Sequence, residues 1–151
     1  MALEYTLHLT TALQPRRALE RLTSQIDGLD WSEDGSFLVD TTVTIIATEP
    51  LARTRSLIED VFHFVPTLRV GFRFVNNTDH DRAGQIMFQA TMLLLEHAQD
   101  AILLFNGEII VLQQFSGQLA FNSGYHMWDD DWLKSRLTVP FEWRPLPSPL
   151  L

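Results

Sequence analysis

The chain has 151 residues, 46% apolar and 20% charged, which suits one globular domain with its own hydrophobic core. It contains no cysteine, so disulfides and cysteine-based zinc sites are excluded. Nineteen acidic residues outnumber eleven basic ones, and the formal net charge of −8 disfavours nucleic acid and anionic membranes as partners while favouring a basic protein.

The charges are unevenly distributed along the chain. Residues 22–52 and residues 83–133 each contain six acids and no lysine or arginine. Such stretches suit a basic partner surface, and they equally keep a protein soluble. We expect a cytoplasmic protein, because no basic start followed by an apolar run marks a signal peptide and no apolar run approaches the ~20 residues of a membrane span.

The N-terminal half alternates strand and helix patterns. Residues 3–10 alternate apolar and polar side chains, which predicts a half-buried strand. Pro15 is typical of the first position of a helix, and Gly28 is typical of a helix end. The other elements predicted in this half are a strand at 36–48, a helix at 51–62 and a strand at 67–75.

The longest predicted helix follows these elements. Asp79 is a typical N-cap residue, and Asp79 and Asp81 suit the positive end of the helix dipole. Apolar residues then recur at helical spacing from Ala83 to Ala98. We expect this helix to pack across the sheet.

The strongest structural signal is residues 100–122, which predict three antiparallel strands joined by two tight turns. Asn-Gly at 106–107 and Ser-Gly at 116–117 suit turns that require positive φ angles. A two-residue first turn places Ile110 on the same face as Leu103. Both faces of this meander are apolar, so we expect strands that are covered on both sides.

The last third ends in a short helix and an extended tail. Trp128 is followed by three aspartates and Trp132, a pattern typical of an Asp-capped helix start. Four prolines from Pro140 onward indicate an extended tail. The elements together predict an α+β fold in one domain, residues 1–151, in which a mainly antiparallel sheet of about six strands with a C-terminal meander packs against a long helix and shorter helices.

No residue pattern indicates catalysis. The five histidines lack the spacing of a helical metal site, and neither a nucleophile elbow nor a phosphate-binding glycine loop occurs. Asp79-His80-Asp81 suits a hard metal, but a polar helix start explains it more simply. Arg69 and Arg73 share a strand face, where ion pairing or solvation is a simpler explanation than an anion site. We expect no enzyme activity, no cofactor and no bound metal.

Four segments in chain order resemble a known family. They are MALEYTLHL at the N-terminus, FHFVPTLRVGFRF before the long helix, DAILLFNGEIIVL after it, and a tryptophan-containing helix followed by VPFEWRPLPSPLL. Together they resemble the bacterial immunity proteins of the Sit, or swarming-inhibition, type, most strongly at 62–112. The chain departs from that pattern at Asn76 and Asn77, where the family often has a lysine, and across 28–37.

The resemblance implies a cytoplasmic protein that binds and neutralises a cognate protein toxin by stoichiometric occlusion rather than turnover. A basic toxin would match the acidity of the chain. The alternative hypothesis is a non-enzymatic module that binds a small molecule or regulatory ligand, for which a deep apolar pocket would be required.

The candidate partner-binding residues are aromatic and acidic side chains that we expect to be exposed together. The first set is Trp128, Asp129, Asp130, Asp131 and Trp132, and the second is Trp31, Glu33 and Asp34. The first set also resembles a sugar-binding patch, although helix capping accounts for the same residues more simply.

Overall fold

The computed structural model describes residues 3–149, which form one nine-stranded sheet and four helices. The strands are β1 (Leu3–Thr11), β2 (Asp30–Trp31), β3 (Leu38–Val39), β4 (Val43–Thr48), β5 (Leu68–Phe74), β6 (Ala98–Phe105), β7 (Ile109–Phe115), β8 (Gln118–Asn122) and β9 (Phe141–Arg144). The helices are α1 (Pro15–Gln25), α2 (Ala52–Phe62), α3 (His80–Leu95) and α4 (Asp130–Arg136). The ends of the predicted domain, residues 1–2 and 150–151, lie outside the described residues.

The strand order is β2-β3-β4-β5-β1-β6-β7-β8-β9, so the N-terminal strand lies at the centre of the sheet. Neighbouring strands are antiparallel except for β8 and β9, which are parallel. This confirms the predicted α+β class and the mainly antiparallel sheet. The predicted count of about six strands is too low.

The missing strands have two physical causes. The β-branched run predicted as one strand at 36–48 is broken at Asp40, whose Oδ2 accepts hydrogen bonds from the amide (2.9 Å) and the hydroxyl (2.6 Å) of Thr42. This turn reverses the chain, so β3 and β4 pair with each other. The edge strands β2 and β9 have two and four residues, which is too short to show a clear periodicity.

Strand β6 separates two layers of the core. Ala101 and Leu103 contribute to the larger hydrophobic cluster with α1, α3 and α4, whereas Ile102 and Leu104 contribute to the smaller cluster with α2 and Leu146 of the tail. All four strand side chains are at most 2% exposed. Since each fully buried Leu or Ile stabilises the fold by about 1.5–3 kcal/mol, β6 is a major contributor. The predicted two-sided burial is confirmed for this strand.

The two turns of the meander have the predicted backbone. Asn106 and Gly107 have φ angles of 49° and 73°, and Ser116 and Gly117 have φ angles of 52° and 78°. The second turn is a two-residue loop, since Phe115 pairs with Gln118. The Asn-Gly and Ser-Gly pairs at these positions therefore set where the chain reverses.

The predicted register of the first hairpin is wrong by one residue. Phe105 pairs with Ile109 rather than with residue 108, and the pairing shifts again between Leu103 and Leu104. The one-residue offset at the turn places Ile110 opposite Leu104 in the smaller cluster, not beside Leu103. One extra residue, at a turn or in a bulge, reverses the face of the residues that follow it, which alternation alone does not predict.

The side chain of Asn122 fastens the C-terminal tail to the sheet. Its Nδ2 donates to the carbonyls of Ile110 (2.6 Å) and Leu146 (3.1 Å). Its Oδ1 accepts from the amides of Gly124 (2.9 Å) and Leu146 (3.2 Å). This buried amide therefore satisfies four backbone groups, and it holds Leu146 over the smaller cluster.

His8 is a buried titratable group in the central strand. It pairs with Arg69 on one side and with Ile102 on the other, and it is 5% exposed. Its Nδ1 has no hydrogen-bond partner among residues 3–149. Burial, assisted by the positive charge of Arg69, lowers the pKa of His8 to about 4. The imidazole is neutral at pH 7.

Replacing Asn122 with Ala should lower the free energy of unfolding by about 2–4 kcal/mol, because it leaves buried carbonyls and amides unpaired. The measurement is chemical denaturation of both proteins. The control is Gln99→Ala, which removes an exposed amide from β6 and should change the stability by less than about 0.5 kcal/mol. Equal losses for the two variants would contradict the role of Asn122.

Replacing His8 with Met should reduce the acid sensitivity of the fold. Between pH 4 and pH 6.5 the unfolded chain binds a proton at His8 that the folded chain does not. His8 therefore lowers the unfolding free energy as the pH falls through this window, by about 3 kcal/mol in total. Denaturation at pH 7 and near pH 4.5 measures the difference. The exposed His97→Met control should keep the pH dependence of the parent.

Candidate functional site

Trp128 anchors the segment that leads into α4. Its side chain is 7% exposed, and its Nε1 donates to the carbonyl of Gly84 in α3 at 3.2 Å. A Cβ on Gly84 would lie 3.1 Å from Met127 Cε, so a glycine in α3 permits this close approach. Phe88 contacts the Trp128 ring edge-on at 5.2 Å between centroids. Trp128 is part of the core rather than of the open surface.

Two of the three aspartates hold α4 in place. The carboxylate of Asp129 caps the helix by accepting from the amide of Trp132 at 2.7 Å, which confirms the predicted cap. Asp130 accepts from Lys134 Nζ at 2.7 Å and from Trp143 Nε1 at 2.9 Å. The hydrogen bonds from Lys134 and then Trp143 lower the pKa of Asp130. These carboxylates tie α4 to its own backbone and to β9.

The remaining residues of α4 form an exposed ridge. Leu133 is fully buried beneath the helix, so the opposite positions Asp131 and Ser135 project outward. Trp132 is half-buried against Phe88, with ring centroids 4.8 Å apart. Beyond the helix, Val139 is 53% exposed. We call Asp131, Trp132, Ser135, Arg136 and Val139 the α4 ridge.

A depression lies on each side of the α4 ridge. The first is a groove of about 520 Å³ between α4, α3 and the end of α1. Its walls carry amide and apolar side chains, among them Gln25, Gln89, Phe88, Met92, Trp132 and Val139. The second is a more open depression of about 710 Å³ between α4 and β9. It is lined among others by His126, Asp130, Lys134, Val139 and Trp143. The protruding ridge and the depressions beside it form a surface that a partner of complementary shape can bind.

The charge of the ridge is nearly balanced. Arg136 lies over the Trp132 ring, with its Cζ 5.3 Å from the centroid. The i, i+4 ion pair of Asp130 and Lys134 occupies the flank facing β9. Among the three aspartates, Asp131 is the one to which no hydrogen bond or ion pair is assigned within residues 3–149. This surface is therefore less acidic than the run of three aspartates suggests.

The second predicted patch is organised around a loop. The Arg16 guanidinium lies over the Trp31 ring at 4.0 Å and donates to the carbonyl of Gly35 at 2.7 Å. Asp34 accepts hydrogen bonds from Ser36 and Ser32, which lower its pKa. Glu33 remains exposed. Trp31 and Asp34 thus stabilise the local structure, and Glu33 is the exposed carboxylate of this patch that makes none of these contacts.

The structure does not bring the two patches together. Trp31 lies in β2 at one end of the strand order, and Asp130 contacts Trp143 in β9 at the other end. One compact interface therefore uses one patch, not both.

Sequence reasoning missed Arg136, Val139 and the glutamines of the groove. Gln25, Gln89 and Gln114 come from α1, α3 and β7, and no local pattern connects them. The exposed Val139 before a proline was the one available signal, because an isolated apolar residue outside a periodic element has no core face to occupy.

The alternative chemical sites lack supporting geometry. Asp79 caps α3 by accepting from the amides of Asp81 (3.0 Å) and Arg82 (3.2 Å), as predicted. Within residues 3–149 no group of three or more His, Cys, Asp or Glu side chains is arranged to hold a metal ion. Arg73 Nε lies 3.8 Å from Glu4 Oε1 between exposed side chains, which is a weak surface ion pair. No helix in the described part of the chain is long and apolar enough to cross a membrane.

Comparison with known proteins assigns the chain to a family. A family model described as SitI3-like matches residues 3–132, which is most of the chain. The chain belongs to this family, and the resemblance to the Sit immunity proteins is confirmed. No curated protein and no solved structure matches the chain. The matched part runs from β1 into the first turn of α4 and ends before β9.

Replacing Trp128 with Ala should destabilise the protein by about 3–5 kcal/mol, because it empties a buried site between α3 and the sheet. Replacing the exposed Asp131 with Ala should change stability by less than about 0.5 kcal/mol. Thermal and chemical unfolding of the two variants measure this contrast. A Trp128→Ala protein as stable as its parent would show that Trp128 is not a core residue.

Proposed function

We propose that this protein is a cytoplasmic immunity protein that binds a cognate protein toxin through the α4 ridge and neutralises it by stoichiometric occlusion. The observation that carries the proposal is a half-exposed tryptophan on a well-anchored ridge between two depressions, in a chain of the SitI3-like family. The whole chain acts as a single α+β domain in this proposal.

The ridge has the properties of a protein-binding hot spot. Trp132 is held by Phe88 and by the Asp129 cap, so it loses little conformational freedom on binding. Tryptophan at the centre of an interface contributes more binding energy than most residues. Val139 lines both depressions and can be covered by the same partner. A rigid aromatic residue beside an exposed aliphatic one supports a protein partner.

Electrostatics favour a basic toxin. The chain carries a formal charge of −8, which accelerates association with a basic partner over distances of about 8–10 Å in physiological salt. The exposed Asp131 projects from the ridge, where its carboxylate can pair with a basic side chain of the toxin. The rest of the attraction comes from the acids distributed over the surface, because the ridge itself is nearly neutral.

Occlusion requires a surface and no chemistry. No hydrolytic motif occurs in the sequence, and the buried His8 is neutral and lies in β1 between β5 and β6. A tightly bound protein can block a toxin's active site or its substrate surface without turnover.

The groove of about 520 Å³ favours a second candidate, a small ligand bound between α3 and α4. Its glutamines can donate and accept hydrogen bonds, and its lining also contains apolar side chains. Such a ligand would raise the melting temperature of the isolated protein, which a toxin surface alone would not do. A thermal-shift screen of metabolites separates the two functions.

The toxin encoded beside the gene for this chain should bind the purified protein, and Asp131→Lys should weaken that binding by about tenfold, mainly by slowing association. Trp132→Ala should instead accelerate dissociation. Surface plasmon resonance separates the two rates. Glu108→Lys is the matched control, since it reverses an exposed carboxylate in the turn between β6 and β7 and should leave the affinity unchanged.

A third charge reversal, Glu33→Lys, tests which of the two patches binds the toxin. A loss of affinity with Glu33→Lys, combined with normal binding by both ridge variants, would transfer the binding surface to the β2 loop. Absence of any complex with the neighbouring toxin would contradict the proposed function itself.

A further inference from the structure

Among residues 3–149, strand β9 is the last strand at one edge of the sheet. The carbonyl of Arg144 accepts from the amide of Ser123 next to β8, so Glu142 and Arg144 direct their main-chain groups inward. The amide and carbonyl of a strand residue point to the same side and alternate along the strand. Phe141 and Trp143 therefore direct theirs outward, and no turn, loop or cap bond within residues 3–149 reaches them.

The outer side of β9 is a short, bounded template for another strand. An edge with free amides and carbonyls pairs readily with a second chain. Pro140 and Pro145 bracket β9, and Pro145 offers no amide, so pairing is confined to these few residues. The opposite edge, β2, has two residues, which gives little room for continued pairing. Pairing at β9 thus ends with one partner and does not propagate.

The charged side chains of β9 are complementary to those of a second, antiparallel β9 strand. Glu142 and Arg144 flank Trp143 on the face of the sheet opposite to its ring, and their side chains form an ion pair at 2.9 Å. In an antiparallel pair of β9 strands centred on Trp143, each Glu142 lies opposite the Arg144 of the other copy. In the competing register, centred on Glu142, two carboxylates face each other. Opposite charges directly across a strand pair stabilise it and like charges destabilise it, which selects the first register.

We propose that two copies of this chain associate through antiparallel pairing of their β9 strands, with Trp143 at the two-fold axis, to form one continuous sheet. A second copy is the occupant that the charge pattern fits, because the Glu-Trp-Arg sequence supplies its own complement when the direction is reversed. The self-complementary strand lies outside residues 3–132, the part that defines the family. Self-association tests the dimer and complex formation tests toxin binding, so either proposal can fail without the other.

Sedimentation velocity of the full chain over a wide concentration range tests the dimer. The parent protein should shift from monomer to dimer as its concentration rises. Glu142→Arg and Arg144→Glu should each weaken the dimer by about tenfold, because each places like charges across the axis twice. The double variant Glu142→Arg/Arg144→Glu restores both pairs and should dimerise like the parent.

Glu108→Arg is the matched control, since it reverses an exposed carboxylate away from β9 and should not change the self-association. A parent protein that stays monomeric up to its solubility limit would overturn the proposal. Single variants that dimerise as well as the parent would overturn it too. If the double variant dimerises again, the single variants lost charge complementarity rather than their fold. If it does not, the strand register centred on Trp143 is wrong.

Discussion

The burial of β6 on both faces is the constraint on which the rest of the architecture depends. Four consecutive side chains, Ala101 to Leu104, are nearly inaccessible to water, so the chain must supply a layer on each side. Helices α1, α3 and α4 form one layer. On the other side, α2 and the tail residue Leu146 cover the smaller cluster. The tail is thus a structural part of the core, and Asn122 is the residue that attaches it.

Much of this architecture could be predicted from the sequence, and the exceptions have physical causes. The meander turns and the cap of α3 depend on local chemistry, and their residues indicated them correctly. The break at Asp40 depends on one carboxylate bonding to Thr42, inside a run whose composition favours a continuous strand. The pairing of β8 with β9 joins segments separated by α4, so no short-range pattern reveals it.

The candidate site shows the same division. The three aspartates after Trp128 were correctly interpreted as a helix start, and the structure assigns Asp129 and Asp130 to holding that helix. What the sequence could not indicate is which side chains remain exposed once these contacts form. The α4 ridge arises from packing, because Leu133 is buried and its neighbours are turned outward. The family assignment depends on residues 3–132, and the surface that distinguishes one partner from another must be found by geometry.

The central position of β1 has a consequence for the synthesis of the protein. Strand β1 pairs with β5 and β6, so its residues require partners that follow about 60 and 90 residues later in the chain. At elongation rates of about 5–20 residues per second, the nascent β1 waits several seconds for both neighbours. The sheet cannot close until β6 has left the ribosome. The pairing of β1 is therefore delayed until most of the chain has been synthesised.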